Sequence, residues 1–519
     1  MVKKNVLRKT AMGISLILAL SAAGCGKGGD SGAKTTPLGS GDKICEEPAT
    51  LDLFMISSGD KHLEDLEVWQ NIAKKTNVTL HTVSSKSASD EDTAFNTLMA
   101  SGDLPDLVIY NKAKQAFPKY GMEGAFESLN DLIDKFAPNI QKQLDDPDVR
   151  AYVTASDGKI YFLTGVNPRT VASGWFIRQD WLDKLGLKSP TSVEEYYNVL
   201  KAFRDGDPNG NGQKDEVPYF SRFPGVDHLV LLFNTIQNWE LRDGKVVYGP
   251  TTPEFKTAYE NISKWYAEGL IDKEIYTRGS KSRDKLLGEN LGGSTHDWFG
   301  STAQFNTILK DTVPGFDIEA IAPPNGKEYT SRDRTTYAGI AIASSSEKKE
   351  VGIRFIDYMF SEQGQRYSNF GIEGKHYDME GDYPKFKDWV VHGDKTAIDI
   401  LNESGACLGF PSVQDFRYEE QWLVPAAKKG VDLYLDNNYL ADPFPILSYI
   451  DDEEERLNKI MTDVRTYLDE TTQKWVFGSA NVDNEIDAFN AQLKKLGIDE
   501  ATEIQQKAYE RYLKLKDNK

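Results

Sequence analysis

Apolar residues recur along the chain with two alternating rhythms, and the alternation predicts an α/β protein. Leu51–Ile56 reads as a strand closing on Ser57–Ser58–Gly59–Asp60. The stretch after it sets Leu63, Leu66, Trp69 and Ile72–Ala73 at helical spacing. Val78–Val83 predicts a second strand, Ala94–Met99 a helix, and Asp103–Asp106 a turn into the apolar run Leu107–Tyr110. This βαβα succession predicts mostly parallel sheets covered by helices. Further on, Tyr196, Val199, Leu200 and Phe203 share a helical face behind a capping box of Thr191 and Glu194. Leu457, Ile460, Met461, Val464 and Leu468 mark a long amphipathic helix. One apolar stretch differs from the rest. Ala11–Ala23 follows Lys3, Lys4, Arg8 and Lys9, and is too short to cross a bilayer core, which takes about 20 residues.

A basic start, a short apolar stretch and small residues before a cleavage point are the parts of a secretory signal, assigned here to residues 1–24. Cys25 directly follows Ala22–Ala23–Gly24 and resembles the bacterial lipobox, in which the cysteine thiol takes a diacylglycerol. Two or three acyl chains anchor firmly, since each buried methylene contributes about 0.8 kcal/mol. Gly26–Lys43 is built of Gly, Ser, Thr, Lys and Pro and buries too little to fold. Residues 25–45 are therefore expected to be a lipidated tether, with the folded body starting at Glu46. That places the body on the extracellular face of a membrane of Gram-positive type, as a monomer.

Charge narrows the partners. The formal net charge is −19, and loss of the four signal-peptide cations takes it to −23. Such a body is a poor nucleic-acid binder, because phosphate contacts demand Lys and Arg. The three cysteines are Cys25, Cys45 and Cys407, and the spacing leaves open whether the last two pair. The six histidines are scattered and form no H-E-x-x-H, so no zinc site is indicated.

Asp205–Glu216 carries the best local chemical signal. Oxygen side chains at alternate positions, separated by glycines, wrap a chain around a hard cation such as calcium. Two registers fit. One starts at Asp205 and matches the EF-hand pattern with Glu216 last. The other takes Asp207, Asn209, Asn211, the Gln213 carbonyl, Asp215 and Glu216. Pro218 discourages a following helix. The chain holds no G-x-S-x-G elbow, no Walker loop and no G-x-G-x-x-G after a strand, so no catalytic residues are assigned. Aromatics make up 11% of the chain, with 24 Tyr, 24 Phe and 9 Trp. Sugar rings stack their apolar C–H faces on such side chains while carboxylates and amides hold the hydroxyls. Trp298 beside Asp297, in a Gly-rich stretch expected to be a loop, is the leading ligand-facing candidate; Trp175 and Trp422 follow.

Several segments in order resemble one family. They are Gly102–Leu107, Gly158–Tyr161, Phe176–Gly186, Ser344–Tyr358, Ser361–Gly364, Gly371–Tyr377, Ile486–Asn490 and Leu493–Gly497. Together they are similar to the extracellular solute-binding proteins of bacterial ABC sugar importers, in their long, LplA-like lipoprotein branch. The resemblance implies a two-lobed, type II periplasmic-binding-protein-like clamp of hinge-connected α/β lobes. Lobe one would hold 46–168 and 337–400, and lobe two 169–336 and 401–519. It implies that an oligosaccharide is captured in the cleft and delivered to ABC transporter permease subunits. It also favours the shorter calcium register, which resembles the loop of alginate-binding members. Ser57, Asp60, Tyr110, Glu373 and Tyr377 would reach the cleft, the first three from the carboxyl ends of strands. A surface polysaccharide lyase or glycosidase and a peptide receptor are the other classes compatible with the sequence.

Overall fold

The computed structural model describes residues 42–56, 61–87, 90–168, 170–450 and 452–517. The signal segment 1–24, Cys25, the tether as far as residue 41, and Ser57 and Asp60 lie outside the described residues. Among the described residues, no helix is long and apolar enough to cross a membrane. The strands in chain order are β1 (Ala49–Phe54), β2 (Val78–Thr82), β3 (Leu107–Tyr110), β4 (Leu163–Val166), β5 (Ser173–Arg178), β6 (Val217–Tyr219) and β7 (Trp239–Arg242). They continue with β8 (Lys245–Tyr248), β9 (Gly292–Trp298), β10 (Ile318–Ile321), β11 (Thr335–Ile342), β12 (Tyr377–Glu380) and β13 (Tyr383–Phe386).

Two larger sheets form the centres of two lobes. The first runs β2-β1-β3-β11-β4 and the second β10-β5-β9-β6. In the first, β1 lies parallel to β2 and β3, while β11 runs antiparallel to β3 and β4. In the second, β6 and β9 are parallel and β5 runs antiparallel to β9 and β10. The sheets are thus mixed, where the sequence suggested mostly parallel pairing. In each, one strand opposes all the others, and it is the first strand after the chain arrives from the other lobe.

Each lobe closes around its own apolar core. Leu51, Leu53, Leu107, Phe117, Ile340 and Phe355 sit in the first; Trp181, Leu200, Tyr259, Ile262, Val464 and Trp475 sit in the second. Removing such a side chain from water contributes roughly 1.5–3 kcal/mol, enough to fix which face each element turns inward. The helix Glu453–Val476 buries Leu457, Ile460, Met461, Val464 and Leu468, and packs on the helix Pro253–Ala267. The helix Val193–Asp205 buries its four expected residues, but its cap is Ser192, whose hydroxyl accepts from the Glu195 amide. Thr191 stands one residue outside and donates to the Glu195 carboxylate, so the capping pair is shifted by one position.

Two expected boundaries move. Ile44 and Cys45 are buried in the first core, and the Ile44 amide donates to the Thr76 carbonyl at 2.8 Å, so the tether ends before residue 44. Leu401, Ala406 and Phe410 also belong to the first core, so a division at 400 would cut the helix Ala397–Ser404. Cys45 and Cys407 are both free thiols, and burial pushes Cys407 up to about 12.

Three chain crossings lie side by side between the lobes. The Asn167 amide donates to the Arg334 carbonyl at 2.9 Å, and the Arg332 amide to the Thr170 carbonyl at 3.0 Å. The Val166 amide donates to Ser412 at 2.9 Å, and the Gln414 amide returns to Val166 at 2.8 Å. Side chains tie the same ribbon: Arg332 reaches Glu419 at 2.9 Å, and Arg334 reaches Asp146 at 2.8 Å.

Candidate functional site

The cleft between the lobes holds two abutting cavities, of about 620 and 750 Å³. Ala172, Trp298 and Arg332 line both, so these residues form the sill between two chambers of one trough. The first chamber takes walls from both lobes, with Trp69 and Tyr337 on one side and Phe223, His228 and Trp298 on the other. The second lies beyond Trp298, between Arg222, Arg283, Phe305 and Trp422.

β9 positions the centre of the site. Its glycines do not make a loop, as the sequence suggested; they let a buried strand pass close under aromatic rings. A Cβ on Gly293 would stand 2.6 Å from Phe203, and one on Gly292 2.6 Å from Phe220. Every residue of β9 is buried until Trp298, which ends the strand with 44% of its surface exposed. A large aromatic is thereby held at the carboxyl end of a sheet strand, where open α/β sheets receive ligands. Two further aromatics stand open in the first chamber: Tyr337 at 73% exposure and Phe223 at 40%. Exposed rings of this size normally bury themselves, so their gathering in one cleft marks a surface for apolar ring faces.

Polar groups surround these rings. Asp297 is fully buried and its carboxylate accepts from Arg222 Nε at 2.7 Å, Arg283 Nη1 at 3.2 Å and the Trp298 amide at 2.7 Å. Its role is therefore to hold two arginines and the Trp298 backbone, and its oxygens are already engaged. His296 is paired with Glu328 at 3.0 Å deep in the lobe, and its ring lies 4.3 Å from that of His228. Burial and the neighbouring His296 push His228 well below the usual imidazole range, so His228 faces the chamber as a neutral imidazole. Tyr337 donates to Asp333 at 3.1 Å, and the charge of Asp333, followed by burial, raises its phenol.

The remaining candidates separate clearly. Trp422 is half-buried and lines the second chamber with Trp298; its indole N–H is buried without a hydrogen-bond partner. Trp175 is a correction. It packs in the second core against Tyr196 at 5.5 Å and His296 at 5.2 Å, because β5 is covered on both faces. Tyr110 is likewise a core residue, stacked on Phe95 at 3.9 Å with its hydroxyl on Asp92 at 2.7 Å. Tyr377 is fully buried at the start of the β12–β13 hairpin, and Glu373 is exposed in the turn before it. Neither lines the trough, since the Gly371–Tyr377 segment folds on itself: the Gly374 amide donates to Tyr377 and the Ile372 amide to His376 Nδ1. Tyr337, Phe223, His228 and the three arginines escaped the sequence reading. The only hint was Arg222–Phe223–Pro224–Gly225, a cation and an aromatic in a turn.

Away from the cleft, the Asp207–Glu216 loop folds inward on its own oxygens. Asp207 accepts from the Asn211 and Gly212 amides at 3.1 and 3.0 Å, and Asn211 Oδ1 from the Gln213 amide at 2.7 Å. The side-chain amides of Asn209 and Asn211 turn onto Asp215 at 3.0 and 3.1 Å. Glu216 is only 9% exposed, and neither carboxylate oxygen has a hydrogen-bond partner. Burial, the largest cause, raises its pKa; nearby backbone amides of Glu216 and Asn209 pull it down, and the charges of Asp207 and Asp215 push it up again. Asp205 points away into an ion pair with Arg204 at 2.7 Å, which sets it apart from the group around Glu216. Among the described residues no three or more His, Cys, Asp or Glu side chains form a ready-made metal cluster, so the asparagine and backbone oxygens would have to complete any cation shell.

Residues 59–366 match the bacterial extracellular solute-binding protein family. The chain is similar to the fructooligosaccharide ABC transporter substrate-binding protein FusA of Streptococcus pneumoniae serotype 4 (strain ATCC BAA-334 / TIGR4), with 26% identity over 98% of this chain and 99% of that protein. It is 27% identical to lipoprotein LipO of Bacillus subtilis (strain 168) over 72% of this chain and 74% of that one. Its fold superposes on the crystal structure of the alginate-binding protein AlgQ2 without calcium ion, with a TM-score of 0.73 and 37% identity, covering 90% of this chain and 99% of that one.

Proposed function

We propose the function of this chain from one premise: it belongs to the family of bacterial extracellular solute-binding proteins. It is a receptor that captures an oligosaccharide in the interlobe trough and hands it to the permease of an ABC transporter. The observation that carries this reading is the pair of abutting chambers joined at Trp298 and Arg332. Each alone has the size of an ordinary small-molecule pocket, roughly 300–1,000 Å³. Joined end to end, with exposed rings along the way, they suit a chain of several sugar rings better than one. Trp298, Tyr337, Phe223 and Trp422 supply ring faces. His228, Asn167, Ser173 and Gln414 line the first chamber and offer hydrogen bonds to hydroxyls. Residues 1–24 serve as the export signal and Cys25 as the lipid attachment point, which keeps the receptor beside its transporter on the outer face of the membrane. A lipoprotein among the relatives supports that placement.

The Asp207–Glu216 loop is read as a structural calcium site. The fit rests on Glu216, a buried carboxylate without a hydrogen-bond partner of good geometry, whose proton affinity is raised first by burial and then by the charges of Asp207 and Asp215. Calcium would supply the positive charge that this set lacks, with Asp207, Asn209, Asn211, Asp215 and Glu216 as side-chain ligands and Gln213 contributing its carbonyl.

A thermal-shift screen of residues 44–519 against an oligosaccharide panel, with product analysis, tests the receptor reading. A ligand that binds only the folded state raises the melting temperature by mass action. A shift with one glycan class, the glycan recovered intact, is the expected outcome. Cleavage of the glycan points to a polysaccharide-acting enzyme instead, and a shift only with peptides to a peptide receptor.

A further inference from the structure

We propose that the first turn of the helix Pro147–Val153 is a fourth, non-covalent crossing between the lobes, a bearing that fixes the axis about which the clamp opens. The inference goes beyond the receptor reading and holds whichever ligand the trough takes. The helix belongs to lobe one, since Val149 and Val153 lie in the first core. Asp146 caps it by accepting from the Asp148 amide at 2.9 Å, and also takes the guanidinium of Arg334, on the 332–334 crossing, at 2.8 Å. Asp148, two residues on and only 2% exposed, accepts from the Ile446 amide at 3.3 Å. One turn thus grips a hinge segment and a segment of lobe two at once.

The gripped segment is held firmly in lobe two. Leu447 lies in the second core, Tyr449 donates to Gln505 at 3.0 Å, and Arg511 donates to the Ser448 carbonyl at 3.3 Å. Gln505 and Arg511 sit on the C-terminal helix Ile498–Asp517, which itself packs against Pro147–Val153. Pro443 and Pro445 fix φ on either side of Phe444, so the chain reaches Ile446 with little freedom. Lys114, on the helix Ala113–Met122 of lobe one, adds a second hold. Its ammonium lies 3.5 Å from the Leu447 carbonyl and 5.0 Å from the centre of the Tyr152 ring. Three adjacent crossings alone can both bend and twist as the lobes move. A contact to one side of that ribbon removes the twist: rotation about the line through the ribbon and Asp148 keeps the tie, and other rotations break a hydrogen bond to a buried carboxylate, leaving it poorly solvated. None of Asp148, Lys114, Ile446 and Leu447 lines either chamber, so the bearing is separate from the ligand-facing surface.

Interlobe distances measured by double electron–electron resonance on the ligand-free chain test the bearing. Spin labels are attached through Glu123→Cys in lobe one and Lys310→Cys in lobe two, both exposed, with the native cysteines replaced by alanine. The expected result is one narrow distance population in this parent chain, and a broader one reaching to longer distances once Asp148→Ala is added. Lys114→Met should broaden it less. Asp148→Asn, which keeps an acceptor oxygen for the Ile446 amide, should leave it close to the parent. Thermal melting shows which variants are folded, and if Asp148→Ala is not, Lys114→Met decides. A distance distribution unchanged from the parent in Asp148→Ala and Lys114→Met, or in whichever of the two melts cooperatively, overturns the bearing, as does a broad distribution in the parent itself. Neither outcome touches what the trough binds, so the receptor reading stands or falls separately, on the glycan screen.

Discussion

Truncating Trp298 to alanine separates ligand binding from stability, because the structure divides the ring between the two. A tryptophan side chain buries up to about 250 Å² when covered. With 44% of its surface open to the trough, about 110 Å² is available to a ligand. At about 25 cal/mol per Å², that surface contributes about 2–3 kcal/mol to binding, or roughly a 30- to 150-fold change in Kd. The remaining 140 Å² or so packs inside the protein, and its loss costs at most about 3.5 kcal/mol of folding free energy, less once residual burial in the unfolded chain is counted. Titration calorimetry with the glycan found by the screen, paired with urea unfolding of the free protein, measures both numbers. Trp298→Phe should fall between wild type and alanine in affinity. A Kd within threefold of wild type, together with a full loss of stability, would show that the ring is a core element and would refute the reasoning.

Tyr337→Ala is the cleaner companion: with 73% of the ring exposed, covering one face by ligand amounts to about 80 Å², hence about 2 kcal/mol in affinity, while unfolding should change by no more than about 1.5 kcal/mol. Trp175→Ala should do the reverse, costing about 3–5 kcal/mol in urea unfolding with no selective effect on Kd per folded molecule. EDTA should lower the melting temperature relative to calcium, and Glu216→Gln should remove that difference. In the metal-free protein the Glu216 carboxyl is raised above its ordinary value of 4.5, so its proton stabilises the fold at low pH and that contribution is lost as pH rises. Calcium requires the deprotonated form, so the calcium increment in melting temperature should be smallest near pH 4.5 and grow toward about pH 7; a pH-independent increment contradicts Glu216 as a ligand.

What the sequence revealed follows from how far each signal travels. The helix Glu453–Val476 was legible because its apolar spacing is local and repeats over several turns. The inward-folded loop at Asp207–Glu216 was legible for the same reason: its oxygens are neighbours in the chain. Trp175 and Trp298 looked alike as tryptophans near glycines, yet β5 and β9 pair Ser173 with Trp298 and Trp175 with His296. Two residues along that ladder separate a core ring from an open one, and no local pattern carries the register. Tyr110 misled because β3 is buried at every position and loses the alternation that distinguishes inside from outside, while Tyr377 lies on the inner side of a hairpin whose alternation is intact. The three arginines come from Arg222, Arg283 and Arg332, more than a hundred residues of chain, and only the packed lobes bring them together.

The mixed pairing of the two sheets explains why the trough sits where it does. A strand entering from the other lobe by a short crossing arrives at the sheet end nearest that lobe and must run away from it. Its neighbours, fed by helices on the sheet faces, run toward it. So β5 and β11 oppose the strands around them, and the remaining strands point their carboxyl ends into the gap between lobes. Trp298 stands at such an end, on β9. Ala172 and Arg332 belong to the crossings themselves, so the sill between the chambers is built from one strand end and two hinge segments. A ligand long enough to occupy both chambers therefore touches both lobes and the ribbon that joins them. Ligand and closed cleft can favour one another only through such shared contacts, because binding shifts a conformational equilibrium no further than its differential affinity for the two states. A sugar confined to one chamber would engage fewer of the surfaces that closure brings together, which makes chain length, and not only ring chemistry, a quantity the trough can read.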